Sequence, residues 1–272
     1  MSHQKEIIIV KLGGSIVTEK SADQPIVRQS NVVNIARIFR KHFNPEKHSL
    51  VLIHGAGSFG HLHAHRYKLA LGTKDHPEKI FRAIENQSLD ARLNSELTQI
   101  FIKAKLPVVG MPTRTIAINN RGFLSSLVTG SIKRALEANT IPLLHGDMVF
   151  DKAWGLSVLS GDVLLAKLAQ YFKVTKVFFA SDVDGIFSQD PHQFKKAKLI
   201  PKVRFEKIGS SITLGCSHHK DVTGGLSKKF TALNKLPALE KIFFFNGSKT
   251  KNFHFVFDQK DFFGTIIDTR KG

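Results

Sequence analysis

The sequence predicts an α/β protein with a mainly parallel central sheet covered by helices on both faces. Three observations carry this. Short continuous apolar runs recur at 7–10, 50–53, 141–144 and 176–180, the form of strands buried on both faces. Segments of helical spacing lie between them. Glycine and polar clusters follow the apolar runs: Gly13-Gly14-Ser15, 55–61, Gly146-Asp147 and 181–185. In an open parallel sheet such strand ends share one edge, where ligands bind.

In chain order, Ile7-Ile8-Ile9-Val10 opens the sheet and ends in Lys11-Leu12-Gly13-Gly14-Ser15. A helix is predicted over 31–42 from its apolar residues. The strand at 50–53 follows and runs into a Gly-rich loop. Phe81, Ile84, Leu89, Leu93, Leu97, Ile100 and Phe101 mark a helix within 78–103. A short strand at 106–109, a helix at 131–138 and the strand at 141–144 come next. A hairpin is predicted within 148–159. A helix at 163–171 is capped by Ser160 or Asp162. The strand at 176–180 ends in Ser181-Asp182-Val183-Asp184-Gly185. A helix over 226–239 precedes two closing strands, 241–245 and 253–257. No internal repeat or linker divides the chain.

The 272 residues suit one large α/β domain or two closely joined lobes, and 42% hydrophobic with 23% charged content excludes a disordered chain. Forty Lys+Arg against 22 Asp+Glu give a formal net charge of +18. The cations are spread along the chain without a Lys/Arg block or an RNA-binding aromatic motif, so nucleic acid is not the expected partner. A positive potential would still recruit a polyphosphate. The one cysteine, Cys216, excludes a disulfide framework. No secretory apolar segment or run of transmembrane length occurs, and a soluble cytoplasmic protein is expected.

The loop His54-Gly55-Ala56-Gly57-Ser58-Phe59-Gly60-His61 organises the functional reading. Its glycines let an anion approach main-chain N–H groups. Gly55, Gly57 and Gly60 match the dinucleotide fingerprint, but the loop follows the second strand and not the first. Its continuation, His61-Leu62-His63-Ala64-His65, does not read as a clean helix start, and no acidic residue sits about 20 positions on. The other reading is a substrate phosphate held by the loop, with His61 beside it. Lys11 closes a buried strand, where a cation needs an anion; an ion pair and a bound phosphate both satisfy that. Lys228 and Lys229 follow Gly224-Gly225, either as solvated lysines or with one on a transferring phosphoryl group. His61, His63 and His65 would share a face if the segment were a strand. Neither this set nor Cys216 with His218 and His219 has a second matching cluster, and no protein-held metal centre is expected. Asp182 and Asp184 are placed either to hold Mg²⁺ or to fix neighbouring loops.

Taken in order, Lys11-Leu12-Gly13-Gly14-Ser15, the 54–61 loop, Gly146-Asp147, Ser160-Gly161-Asp162, Asp182-Val183-Asp184-Gly185 and Asp221-Val222-Thr223-Gly224-Gly225 resemble the amino acid kinase superfamily. Within it they most resemble the isopentenyl phosphate kinases. The fosfomycin kinases share a similar loop ending in histidine and are the close alternative; a non-enzymatic basic binding protein on the same fold is a further one.

The resemblance implies a three-layer αβα sandwich of the carbamate kinase-like type, with an open sheet of about eight strands, forming a homodimer. Residues 1–172 would form an N-terminal lobe for the phosphate acceptor and dimerisation. Residues 173–272 would form a C-terminal lobe for ATP, on one continuous sheet. It implies that ATP, with Mg²⁺, phosphorylates isopentenyl phosphate. Lys11, Lys20 and Lys229 would act on the transferred phosphates, and Gly13, Gly14, Ser15, Gly57 and Gly225 would line them. Gly55, Ala56, Gly57, His61 and Gly161 would hold the acceptor phosphate. Asp182 and Asp184 would stand on the nucleotide side, with Phe81 and Ile84 as tail contacts. A phosphate acceptor is already ionised near neutral pH, so His61 would bind and orient rather than act as a base. The helix expected to form the hydrocarbon pocket, about 81–94, is polar for that purpose: it carries Glu85, Asn86, Gln87, Ser88 and Asp90.

Overall fold

The computed structural model of the chain describes residues 5–19, 24–189, 194–205 and 239–269. Strand β1 (Glu6–Leu12) is followed by a one-turn helix α1 (Gly14–Val17), helix α2 (Gln29–His42), strand β2 (His48–His54), helix α3 (Gly57–Arg66) and the long helix α4 (Pro77–Lys103). Then come β3 (Val108–Gly110), β4 (Ala117–Asn120), β5 (Phe123–Leu127), α5 (Gly130–Glu137), β6 (Ile141–His145), β7 (Asp147–Asp151) and β8 (Gly155–Leu159). The described chain closes with α6 (Gly161–Tyr171), β9 (Lys176–Ser181), β10 (Lys202–Arg204), β11 (Lys241–Asn246) and β12 (Thr265–Asp268). The helix expected at 226–239 lies outside the described residues, apart from its last position.

An eight-stranded sheet in the order β10-β12-β11-β9-β1-β2-β6-β3 forms the central layer. All its neighbours pair in parallel except β11 with β12. The alternation of side chains along β1 explains the layers. Ile8, Val10 and Leu12 meet Val32, Ile35 and Phe39 of α2 and Leu93, Leu97 and Phe101 of α4. Ile9 points the other way, to a core with Ile132 of α5 and Leu164, Leu165 and Leu168 of α6. The expected α/β class, with a mainly parallel sheet between helical layers, is the one observed.

One expectation fails and another is met in a different sheet. The Phe-rich run at 253–257 is not a strand: residues Thr250–Val256 form a 3-10 helix. There Phe253 packs edge-on against Phe39 and Phe245, so a continuous apolar run fills a corner of the core instead of pairing. The sheet is completed by β12, which the sequence reading did not single out. The predicted hairpin at 148–159 is present as β7 and β8, but it belongs to a second sheet, β5-β4-β7-β8, whose other strands were not anticipated.

Asp151 ties that second sheet together. Its carboxylate accepts from the backbone N–H groups of Arg121 (2.9 Å), Gly122 (2.7 Å), Ala153 (2.9 Å) and Trp154 (2.9 Å), and from the Ser157 hydroxyl (2.8 Å). Two turns are thereby pinned to one side chain. Burial alone would raise this carboxyl, but the donated hydrogen bonds outweigh it and hold the pKa at about 2. A folded-state pKa below the unfolded value stabilises at pH above about 4 and loses that contribution as pH falls toward 2. Asp151→Asn should therefore lower the unfolding free energy at pH 7 by about 2 kcal/mol. It should also flatten the loss of stability between pH 4 and 2, both measured by urea unfolding.

Candidate active site

The parallel register brings the ends of β1, β2, β6 and β9 to one edge, with Leu12 beside His54 and Ala180, and His54 beside His145. The glycine loops leave the sheet here. They line a cleft of about 430 Å³ with Lys11, Gly13, Gly14, Ser15, the 55–58 loop, Gly60, His61, Ser160, Gly161, Asp162 and Asp182 around it. The site expected from the glycine clusters is thus one continuous cleft.

The two Gly-rich loops touch through bare backbone. A Cβ on Gly14 would lie 2.6 Å from the Gly57 nitrogen, and one on Gly55 would lie 2.8 Å from the Gly14 nitrogen. Gly57 adopts φ +53°, and a Cβ there would sit 2.1 Å from Thr18 Oγ1. That hydroxyl accepts from the Ser58 N–H at 3.0 Å. Contrary to expectation, residues 57–66 are helical. α3 begins at Gly57 with no side-chain cap, since Ala56 precedes it. A helix start of this kind offers first-turn N–H groups to an anion. Because α3 is a helix, His63 leaves the face that His61 and His65 share and turns to the Arg82 carbonyl, 2.9 Å away. His61 lies on the cleft wall.

Lys11 reaches across the cleft floor from β1 to Asp162 in the first turn of α6, forming an ion pair with the side chains 12% and 7% exposed. Its Cε passes 3.5 Å from where a Cβ of Gly161 would stand, in ordinary packing contact with that turn. Ser160, not Asp162, caps α6, accepting from the Val163 N–H at 3.2 Å. The sequence reading missed Asp162 as the partner of Lys11.

Beneath the loops, His54 and His145 stack with ring centroids 5.1 Å apart. His54 Nδ1 donates to the Gly55 carbonyl (3.0 Å), while its Nε2 accepts from Asn94 (3.2 Å). His145 repeats the device on the Gly146 carbonyl at 2.8 Å. Burial first, then His145 and the Lys11 charge, push the His54 pKa down to about 3. Both rings are positioning groups. Their signal in the sequence is the repeated His-Gly pair at the ends of β2 and β6.

Other expected site residues fall elsewhere. Phe81 and Ile84 are 73% and 50% exposed and do not line the cleft. They lie on the outer face of α4, whose Asn86 and Asp90 face inward instead. Asp184 is held by Lys249 (2.7 Å) and Asn246 (2.9 Å) and does not line the cleft, whereas Asp182 does. Lys20, Gly225 and Lys229, together with Lys228, Cys216, His218 and His219, lie outside the described residues. Among the described residues no group of three or more His, Cys, Asp or Glu could hold a metal ion, and no helix is long and apolar enough to cross a membrane.

A three-layer fold with glycine loops and a lysine converging on one sheet edge is compatible with a small-molecule phosphotransferase, and the family comparison settles the class. The model of the amino acid kinase family matches residues 6–237, and the chain belongs to that family. Within it, the chain is similar to the isopentenyl phosphate kinase of Methanocaldococcus jannaschii, at 31% identity over 91% of this chain and 94% of the relative. It is 29% identical to that of Methanothermobacter thermautotrophicus over 84% of this chain and 85% of the relative. An isopentenyl phosphate kinase solved by X-ray superposes with a TM-score of 0.82 at 25% identity, covering 96% of this chain and 100% of that one.

Two outcomes follow. Gly57→Ala forces a side chain into the left-handed region against Thr18, and should cost about 1–2 kcal/mol or more in unfolding free energy. The same change should lower turnover by displacing the loop. For His54, a folded pKa of about 3 against 6.5 means full stabilisation above pH 6.5, declining as pH falls below it. Urea unfolding across pH 7 to 5 should show this decline, shallower in His54→Gln.

Proposed function

We propose that this chain transfers the γ-phosphoryl group of ATP to isopentenyl phosphate, giving isopentenyl diphosphate and ADP. The observation that carries this is one cleft in which Lys11 and Gly13–Ser15 meet Gly55–Gly57, His61 and Gly161. Relatives named isopentenyl phosphate kinase, similar over nearly their whole length, support the choice of acceptor.

In this reading a phosphate oxygen of the acceptor bonds to the γ-phosphorus. The bond from that phosphorus to its bridging oxygen breaks, and ADP leaves with the electron pair. The acceptor needs no deprotonation, so the protein's task is to align two anions and offset their repulsion. The 55–57 loop, His61 and Gly161 hold the acceptor phosphate. Lys11, Gly13, Gly14 and Ser15 hold the phosphate in transfer, with Lys20, Gly225 and Lys229 assigned there from the motif. Asp182 stands on the nucleotide side. The lobes divide as acceptor (1–172) and nucleotide (173–272), in a cytoplasmic homodimer.

The donors present fit Mg²⁺ bound mainly through nucleotide oxygens and water. Beside the glycine loops the cleft presents Asp182, and Asp162 paired with Lys11, rather than a cage, and Mg²⁺ is commonly held by one or two carboxylates plus substrate phosphates. When bound it neutralises charge on the nucleotide phosphates.

The test is ADP release with ATP and isopentenyl phosphate, dimethylallyl phosphate or fosfomycin. Wild-type protein should favour isopentenyl phosphate over the latter two; a preference for fosfomycin would overturn the acceptor. His61→Ala should cut kcat/KM for the acceptor by about 10²-fold or more with the KM for ATP nearly unchanged. Lys11→Met should lose rate by a similar factor; because it leaves the buried Asp162 carboxylate unpaired it should also lower the unfolding midpoint, whereas Lys11→Met with Asp162→Asn should restore the midpoint but not the rate. Recovery of rate together with the midpoint in the double variant would make Lys11 only the structural partner of Asp162.

A further inference from the structure

The inner end of the cleft is not lined like a hydrocarbon pocket. Met148, Val158 and Leu159 give it an apolar wall, but α4 contributes Asn86 and Asp90 and β7 contributes Asp147. These residues are 4%, 2% and 3% exposed. Asn86 Nδ2 donates to Asp90 Oδ2 at 2.8 Å. Asp147 Oδ2 accepts from the Arg114 backbone N–H at 3.1 Å and from its guanidinium at 3.2 Å. That leaves Asn86 Oδ1, Asp90 Oδ1 and Asp147 Oδ1 buried with no hydrogen-bond partner. One such oxygen is a destabilising exception; three on side chains that border the same cleft form a demand for a hydrogen-bonding guest. The cluster adjoins the phosphate loop, since Asp90 Oδ1 lies only 2.4 Å from where a Cβ on Gly60 would stand.

Resting on the phosphotransfer reading above, we propose that Asn86, Asp90 and Asp147 form a subsite for a hydroxyl group on the acceptor's organic tail. The chain then phosphorylates short-chain alkyl monophosphates that carry a tail hydroxyl, in preference to the plain hydrocarbon. The reaction is unchanged: the acceptor phosphate takes the γ-phosphoryl group, ADP leaves, and the tail hydroxyl is only recognised.

A neutral hydroxyl suits this cluster better than an ammonium. Burial first, then the neighbouring Asp147, raises the Asp90 carboxyl well above the ordinary carboxylate range. Burial also raises Asp147, against the opposing pull of His145 and Arg114. A neutral carboxyl can donate as well as accept, and the Asn86 amide oxygen only accepts. A hydroxyl answers both roles without adding charge beside the Arg114 guanidinium. The exposure of Phe81 and Ile84 agrees with this: with those two turned to solvent, α4 sets only the small apolar Ala83 beside Asn86 and Asp90 on its inner face.

The test compares isopentenyl phosphate with 3-hydroxy-3-methylbutyl phosphate, which differs by one water added across the double bond. Steady-state kcat/KM for the hydroxylated acceptor should be at least about tenfold higher, since a site built to pair a substrate hydroxyl strongly rejects the analogue lacking it. Asn86→Leu and Asp90→Leu should each shift the ratio at least about tenfold toward isopentenyl phosphate, at an unchanged KM for ATP. Should Asp90→Leu fail to fold, Asn86→Leu and the wild-type ratio still decide. Equal or better use of isopentenyl phosphate by the wild-type protein would overturn the subsite and leave the kinase reading intact. Turnover of neither acceptor would overturn both.

Discussion

The site depends on a contact between two stretches of backbone with no side chains between them. β1 runs parallel to β2 and to β9, and both ladders continue past the strands: the Gly55 N–H reaches the Leu12 carbonyl and the Gly13 N–H the Ala180 carbonyl, each at 2.9 Å. Gly14 then lies against Gly55 and Gly57 at distances that leave no room for a Cβ. From this point the chain departs into α1 on one side and α3 on the other. The spacing between the loop assigned to the transferred phosphate and the loop assigned to the acceptor is therefore set by main-chain contact. A rotamer change cannot alter it. That suits a reaction in which alignment supplies much of the rate and a misplacement of about 1 Å costs orders of magnitude.

The histidines beneath the loops serve the same end by staying uncharged. An imidazolium pair 5.1 Å apart in a dry interior would repel. As neutral rings, His54 and His145 instead donate to the carbonyls of Gly55 and Gly146. Each bond fixes one peptide plane, and the N–H of that plane points away from the ring because a trans peptide is rigid. Thr113 ties the His145 backbone from the other side, with its hydroxyl 2.5 Å from the carbonyl. The glycines are thus free of side chains but not free to move.

Much of this was legible in the sequence, and what was not has identifiable causes. The strands β1, β2, β6, β9 and β11 announce themselves because a parallel sheet buries both faces and leaves continuous apolar runs. The same signal misleads at 253–257, where the run packs on a neighbouring layer as a 3-10 helix. β5 leaves all five of its residues exposed or half-buried, so no alternation marks it. α3 lacks a cap and carries three histidines; its first turn is supported by Thr18, 40 positions away from Ser58. The glycine loops were visible because an anion site needs bare backbone wherever it occurs. Asp162 as the partner of Lys11 was not, since a pairing across 151 positions leaves no local pattern. The polar character of α4 was visible, and the structure adds which of its residues turn inward.

The Lys11–Asp162 pair raises a final point about how the cleft can be both stable and receptive to anions. An unpaired ammonium held at 12% exposure would be costly. Asp162 removes that cost and holds the lysine across Gly161, directed over the cleft floor. A buried pair of this kind contributes little net stability, because desolvation consumes most of the attraction. Small net worth is what a binding site needs from such a contact. The lysine is ordered before a ligand arrives, yet an anion entering beside it gives up little by sharing it. The carboxylate also limits how much positive charge the cleft presents, so in the proposed reading binding relies on the glycine N–H groups and on the geometry of both loops rather than on raw attraction. In a chain of net charge +18 this matters, since long-range attraction brings any anion to the surface, while in the proposed reading the paired lysine and the backbone cradle select those whose phosphate fits.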